Sequence, residues 1–204
     1  AKLTFDEAAE LAYFGAKILH PTCILPAKDQ NIPVRLLNTM QPEATGTLIS
    51  SENQAEGFRA VAAKDGITAI NIKSGRMLMA YGFLRAVFEV FERYRKPIDM
   101  ITTSEVAVSV TIDNTDDLEN ILEELKEFGT VNVDTDLSIV SIVGLFPAEK
   151  PGYAGAIFDS LRNIPVRMIS YGGSENNISI LVDTRLKKET LITLNAGLFE
   201  LEQE

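Results

Sequence analysis

Apolar and polar positions change period several times along this chain, and each change marks an element. "ITAINIKS" (67–74) and "LSIVSIVGL" (137–145) are apolar, β-branched runs that predict strands. After Gly82, the residues Phe83, Val87, Val90 and Tyr94 fall at i, i+4, i+7 and i+11. Arg85, Glu89, Glu92 and Arg93 fall mainly on the other side, so the spacing predicts a helix with one buried face. Val106, Val108, Val110 and Ile112 alternate with small or polar residues, as do Ile178, Ile180 and Val182, which predicts strands covered on one face. Asp116 with Glu119 three residues on predicts a capping box. Leu118, Ile121, Leu122, Leu125 and Phe128 supply the stripe of the following helix, and Gly129 its stop. "TVNVDTD" (130–136) reads as a strand closing this run.

The same order recurs. "MAYGFLRAVFEVF" (79–91) followed by "PIDMITTSEVAVSVTID" (97–113) is echoed by "EKPGYAGAIFDSL" (149–161) followed by "PVRMISYGGSENNISILVD" (165–183). Gly82 aligns with Gly152, Phe88 with Phe158 and Asp113 with Asp183 at an offset of 70, and Met100 with Met168 at 68. Each copy reads strand, helix, strand, strand, helix, with a final strand in the first only, which predicts an α+β chain of two ferredoxin-like (βαββαβ) units. The second copy ends in a helix around 191–199, and "GFRAVAAK" (57–64) is a spare strand able to close it. The expected division is therefore a first unit at 65–135 inserted in a second made of 56–64 and 136–204. Residues 1–50 belong to neither. Thr4 with Glu7 predicts a capping box opening a helix through Phe14, followed by a Pro-rich loop and a short strand at 31–38. One helix and one strand cannot close a core, so this stretch is expected to be the end of a preceding domain. The start at Ala1, directly before a helix signal, likewise suggests a piece of something longer.

Composition narrows the function. A net charge of −10 and a sequence pI near 4.7 argue against nucleic acid, whose binders concentrate Lys and Arg. Cys23 is the only cysteine, which excludes an internal disulfide and suits a reducing compartment, the cytoplasm. There is no run long enough to span a membrane and no signal-peptide pattern. No G-x-x-x-x-G-K phosphate loop and no zinc spacing occur, so no metal site is expected. Cys23 beside His20 reads as a buried thiol next to a loop histidine, and "YGGSENN" (171–177) as a turn between strands. The remaining candidate is the loop from Met77 to Gly82. The first N–H groups of the following helix, from Gly82, Phe83 and Leu84, favour an anion, and Gly82 lets it approach closely. The strand from Ile98 carries Asp99 and, at its far end, Ser104 and Glu105. An N–H nest for a carboxylate with acidic and hydroxyl groups for an ammonium fits a free amino acid. The competing possibility is a solvated edge carboxylate with turn chemistry beside it.

These residues also carry a family resemblance. "FGAKILHP" (14–21) followed by the strand "GTLIS" (46–50) resembles the end of the amino-acid kinase domain of aspartate kinases. "RMLMAYGFLRAVFEVF" with "IDMITTSEVAVSVTID" resembles the first of the two ACT domains that follow there, and "KPGYAGAIF" with "PVRMISYGGSENNISILV" the second. The resemblance covers essentially the whole chain. It implies a full-length enzyme that phosphorylates the aspartate side chain with ATP (with Mg), leading to lysine, threonine, methionine and isoleucine. It further implies ACT units, one nested in the other, that bind an end-product amino acid between two subunits and inhibit the kinase. The implied assembly is a homodimer through the ACT units, or a higher oligomer built from it. The implied effector contacts are Met77, Ala80, Phe83, Leu84, Pro97, Ile98, Asp99, Ser104 and Glu105, beside the Gly82 read from the helix start. Lys17 and Ile18 correspond to residues approaching ATP. Ala80 and Pro97 stand where lysine-sensitive relatives often have serines, and Met79 where some have His. Lysine is the favoured effector and threonine the alternative. On this reading the chain alone has no catalytic residues or cofactor. Two other readings are a stand-alone ACT amino-acid sensor, or subunit serving another enzyme, and a purely structural dimerisation unit.

Overall fold

The computed structural model describes residues 2–15, 19–52, 56–75, 77 and 81–199. The chain begins with β1 (Lys2–Thr4), α1 (Phe5–Tyr13), α2 (Pro21–Asp29), β2 (Val34–Leu36) and β3 (Thr47–Ser50). It continues through β4 (Gly57–Lys73), α3 (Phe83–Arg93), β5 (Ile101–Thr103), β6 (Ala107–Ile112) and α4 (Leu118–Lys126). It ends with β7 (Thr130–Leu145), α5 (Tyr153–Ser160), β8 (Met168–Ser170), β9 (Asn177–Asp183), a 3₁₀ turn (Thr184–Leu186) and α6 (Lys187–Leu198). Among the described residues no helix is long and apolar enough to cross a membrane.

Two long strands organise the whole. β4 and β7, 17 and 16 residues, run antiparallel at the centre of a six-stranded sheet ordered β5-β6-β4-β7-β9-β8. The second half of β4 pairs with β6 and with the first half of β7. The first half of β4 pairs with the second half of β7, which also pairs with β9. Each half of the sheet thus has the ferredoxin-like order, and each long strand serves both units. The spare strand seen in the sequence closes the second unit, so one ACT-like unit is inserted in the other.

The register slips between Lys64 and Ile67 on β4 and again between Ile67 and Ala69. Gly66 (φ 75°) and Asp136 (φ 57°) sit at this junction, the bulge residues that let the strands change twist. The slip also explains a change of parity. Val61 and Ala63 pack with α5 and α6, whereas Ile70 and Ile72 pack with α3 and α4. The opposite face, with Ala62, Ile67, Ala69, Leu137 and Ile139, packs against Phe5, Ala8 and Leu11 of α1. Each fully buried Ile in these layers contributes about 1.5–3 kcal/mol relative to exposure.

The N-terminal segment departs from expectation. It forms a three-stranded sheet, β1-β3-β2, with β1 parallel and β2 antiparallel to β3, and it shares its core with both units. The strand expected over 31–38 is limited to Val34–Leu36. The expected Pro-rich loop is largely α2. Pro21 stands in its first turn, where a fixed φ suits a helix, and the Thr22 N–H donates to His20 Nδ1 (3.4 Å) at the cap. Pro26 inside α2 forgoes one helical hydrogen bond. Cys23, expected to be buried, is exposed on this helix.

Other caps divide similarly. The Thr4–Glu7 box is present in full, with Thr4 N–H donating to Glu7 Oε2 (2.7 Å) and Glu7 N–H to Thr4 Oγ1 (3.1 Å). The Asp116–Glu119 box is not. The Asp116 N–H donates instead to Asn114 Oδ1 (2.8 Å), and α4 starts from Asp117 in the left-handed region (φ 57°). The last helix begins at Lys187 rather than 191, because Asp183 caps a preceding 3₁₀ turn by accepting from the Arg185 N–H (3.0 Å). "YGGSENN" is the predicted turn, between β8 and β9.

Candidate functional site

β4 runs into the loop that leads to α3, and β5 runs parallel to β4 with β6 between them. The C-terminal end of β5 therefore lies beside that loop. Ser74 N–H donates to Val106 O (2.8 Å), Met77 N–H to Ser74 O (3.2 Å) and Ser104 N–H to Ala107 O (2.8 Å), which gathers Met77, Ser104 and Glu105 at one end of the first unit. Gly82, the N-cap of α3, has φ 82°, and no side chain among the described residues caps the helix. Only glycine takes that conformation without strain. The first-turn N–H groups have no partner within the helix itself, which makes this end electropositive. Phe83 and Leu84 turn their side chains into the α3/α4 core, Phe83 edge-to-face against Phe128.

Pro97, Ile98 and Asp99 lie at the other end of β5. The Asp99 N–H donates to Thr111 O (3.0 Å), so pairing with β6 starts there, five residues before Ser104. Five extended residues span about 17 Å, more than any one amino acid bridges. The structure thus places the predicted residues in two groups rather than one nest. Ala80, Lys17 and Ile18 lie outside the described residues.

Asp99 is not a solvated edge carboxylate. Its side chain is 1% exposed, and its Oδ1 takes both the Lys64 ammonium (2.8 Å) and the Tyr13 hydroxyl (3.0 Å). Lys64 also contacts Asp113 Oδ2 (2.8 Å), and its ammonium stands 4.8 Å from the centre of the Tyr13 ring. Burial by itself lowers the Lys64 pKa, but the hydrogen bonds to Asp113 and Asp99 outweigh it and the net shift is upward. Burial, followed by the Asp99 charge and hydrogen bond, raises that of Tyr13. This cluster edges a cleft of about 310 Å³ between α1, the segment just before β5, and strands β8 and β9, whose wall includes Glu10, Tyr13, Asp99, Ser174 and Asn177. Glu10, held by Asn177 Nδ2 (2.9 Å) and Ser174 Oγ (3.3 Å), has its pKa raised, burial exceeding the effect of those donors. Sequence reasoning missed Lys64, Tyr13 and Asp113 as partners. One signal existed: Lys64 is one of two cations, with Arg59, in the otherwise apolar run "GFRAVAAK", and a charge there needs a counter-ion. Among the described residues no group of three or more His, Cys, Asp or Glu side chains is arranged to hold a metal ion.

Two nested ferredoxin-like units define a tandem ACT-type fold, and residues 140–198 match the ACT domain family. Over 98% of its length the chain is 38% identical to aspartokinase 3, chloroplastic, of Arabidopsis thaliana, and 36% identical to lysine-sensitive aspartokinase 3 of Escherichia coli K12. It spans 38% and 46% of those proteins, less than half of each. It superposes on E. coli aspartokinase III with aspartate and ADP (R-state) with a TM-score of 0.89, and with lysine and aspartate (T-state) with 0.84. Both superpositions cover 98% of this chain and 46% of that one, at 36% identity. A structure described as a C-terminal regulatory domain of aspartate kinase from Porphyromonas gingivalis W83 is 49% identical, covering 69% of this chain and 97% of that one, with a TM-score of 0.63. The chain belongs to the aspartate kinase family, as its regulatory region.

Proposed function

We propose that this chain senses an end-product amino acid, lysine first and threonine second, and thereby inhibits ATP-dependent phosphorylation of aspartate by the whole protein. The reading rests chiefly on one observation: the chain corresponds over 98% of its length to an enzyme solved with lysine and aspartate. The split site supports it further. An uncapped helix start with Gly82, Ser104 and Glu105 at one end of β5, and a buried carboxylate at the other, are complementary halves. A two-fold pair of chains sets one end against the other end of its partner, as an isologous interface does. The effector contacts are then Met77, Ala80, Gly82, Phe83, Leu84, Ser104 and Glu105 from one chain, and Pro97, Ile98 and Asp99 from the other. Tyr81 and Val106, exposed apolar residues at the loop end, suit such an interface.

Within this proposal the ACT units divide at 65–135 and at 56–64 with 136–204. Residues 1–50 are the end of the amino-acid kinase domain, where Lys17 and Ile18 approach ATP. The protein works in the cytosol as a dimer or a higher oligomer of dimers, and this stretch alone transfers no phosphate. The test is thermal unfolding with L-lysine, L-threonine and L-methionine, together with sedimentation. A ligand at about 100 times its Kd adds about 2.7 kcal/mol, a rise of roughly 5–10 °C for a chain of this size. No shift with any amino acid, from a chain that is dimeric, refutes the sensor.

A further inference from the structure

Asp99 already has a cation of its own chain. Lys64 bridges two unequal carboxylates, both at 2.8 Å: Asp99, 1% exposed, and Asp113, 34% exposed. Oδ1 of Asp99 is doubly used, by Lys64 and by the Tyr13 hydroxyl, while Oδ2 is buried and makes no hydrogen bond among the described residues. A buried carboxylate oxygen without a donor is costly, and an ammonium with three donors is the group that satisfies it. Two ammonium groups on one shielded carboxylate repel each other strongly. Lys64 alone has a second anchor, Asp113, nearer to solvent and already in contact.

We infer that Lys64 is the resident counter-ion of the effector site: the ammonium of an amino-acid ligand takes Asp99, and Lys64 passes wholly to Asp113. The exchange rests on the reading that Asp99 binds the effector, and it adds how that binding is felt elsewhere. Tyr13, the last residue of α1, touches both members of the pair, its hydroxyl on Asp99 and its ring beneath Lys64. Just beyond it, Gly15 (φ 104°) packs so closely on β4 that a Cβ there would lie 2.1 Å from Ala63 O. The end of α1 is thus held against β4 at the residue before Lys64. Exchange at Asp99 removes the cation from the Tyr13 ring and reaches the N-terminal segment through one contact. Glu10 on the same helix is occupied by Asn177 and Ser174, so Asp113 is the carboxylate to which Lys64 turns.

The experiment follows the Lys64 side-chain ammonium by ¹⁵N NMR in the whole chain, its signal assigned by absence from Lys64→Arg, during titration with L-lysine and separately L-threonine. Calorimetry on the same samples reports binding. Saturable binding with loss or displacement of the Lys64 signal supports the exchange. Saturable binding with an unmoved Lys64 signal overturns it and leaves the effector site standing. No binding of either amino acid overturns the effector reading, and the exchange with it. Lys64→Met supplies a second arm. Without its competitor, the ligand should bind about tenfold more tightly, a coupling within the usual range of about 5- to 150-fold. Equal or weaker binding by a folded Lys64→Met chain also overturns the exchange.

Discussion

Removing the Lys64 charge is the most direct probe of this architecture. Lys64→Met keeps the length of the stem and deletes the ammonium, leaving Asp99 buried with the Tyr13 hydroxyl as its one remaining donor among the described residues. Breaking a buried pair by removing one partner costs about 3–5 kcal/mol, because the other charge stays desolvated. The retained Tyr13 donor places the cost near the lower end, about 3 kcal/mol. Asp113, 34% exposed, adds little, since water takes over from Lys64 there. At about 2–4 °C per kcal/mol for a chain of this length, the melting temperature should fall by roughly 6–12 °C. The sign with pH is defined too. Lys64 has a folded pKa raised above its ordinary value of 10.5, so its contribution is complete below 10.5 and lost only as pH rises through the raised value. Neutral pH therefore reads the full effect. With no tryptophan in the chain, urea unfolding is best followed by far-ultraviolet circular dichroism and tyrosine emission. Asp99→Asn removes the stranded charge while keeping an acceptor for Tyr13, so the double variant should recover about 2 kcal/mol in a double-mutant cycle. A cost below about 0.5 kcal/mol for Lys64→Met, with coupling within about 0.3 kcal/mol of zero, would show that the pair is not a buried one.

Three further substitutions test neighbouring parts. Gly15→Ala forces a Cβ onto Ala63 O at a left-handed φ, so α1 should lift from β4 at a cost of about 1–3 kcal/mol, read as faster hydrogen exchange in the amides of α1 and β4. Gly82→Ala meets no atom within 4 Å but keeps φ at 82°, so it should cost only about 1–2 kcal/mol in urea unfolding while weakening amino-acid binding by calorimetry. Glu10, its pKa raised above 4.5 by burial, gives stability below 4.5 that is lost as pH rises through the raised value. Glu10→Gln should therefore gain stability relative to the parent chain between about pH 4 and about pH 7, and parallel stability–pH curves for the two would refute the assignment.

Much of this fold was legible because it is written twice. The repeat fixed the order of elements, and the unmatched strand at 57–64 fixed the nesting, since a ferredoxin-like unit lacking its last strand must borrow one. Periodicity did not disclose that the borrowed strand and the first strand of the inserted unit are one continuous β4. That depends on Gly66 and Asp136 turning the pleat without ending it, and a glycine between apolar runs reads equally well as a turn. The N-terminal segment was misread for another reason. Its elements are short and packed on a core supplied by other parts of the chain, so neither α2 nor β1 shows enough apolar periodicity to be seen alone. Of the site, the residue types were legible and their partners were not. Asp99 and Lys64 stand 35 residues apart, on opposite sides of a helix, and a sequence gives no distance between them.

The two copies have also diverged at the position that matters most. The Asp99 N–H donates to Thr111 O, and the Arg167 N–H donates to Leu181 O, with Ile101 opposite Val110 and Ile169 opposite Ile180. Arg167 therefore occupies in the second unit the place Asp99 occupies in the first. An exposed guanidinium repels an ammonium where a buried carboxylate attracts one, so under the proposed function this position suits an amino-acid ammonium in the first unit and not in the second. The second unit is nevertheless continuous with the first through the long strands β4 and β7, and its β8 borders the cleft beside Asp99. Lys64 itself stands on the half of β4 that belongs to the second unit, so under the proposed exchange its displacement is felt there directly. On this argument the second copy supplies the cation of the ion pair and part of the wall on which α1 packs.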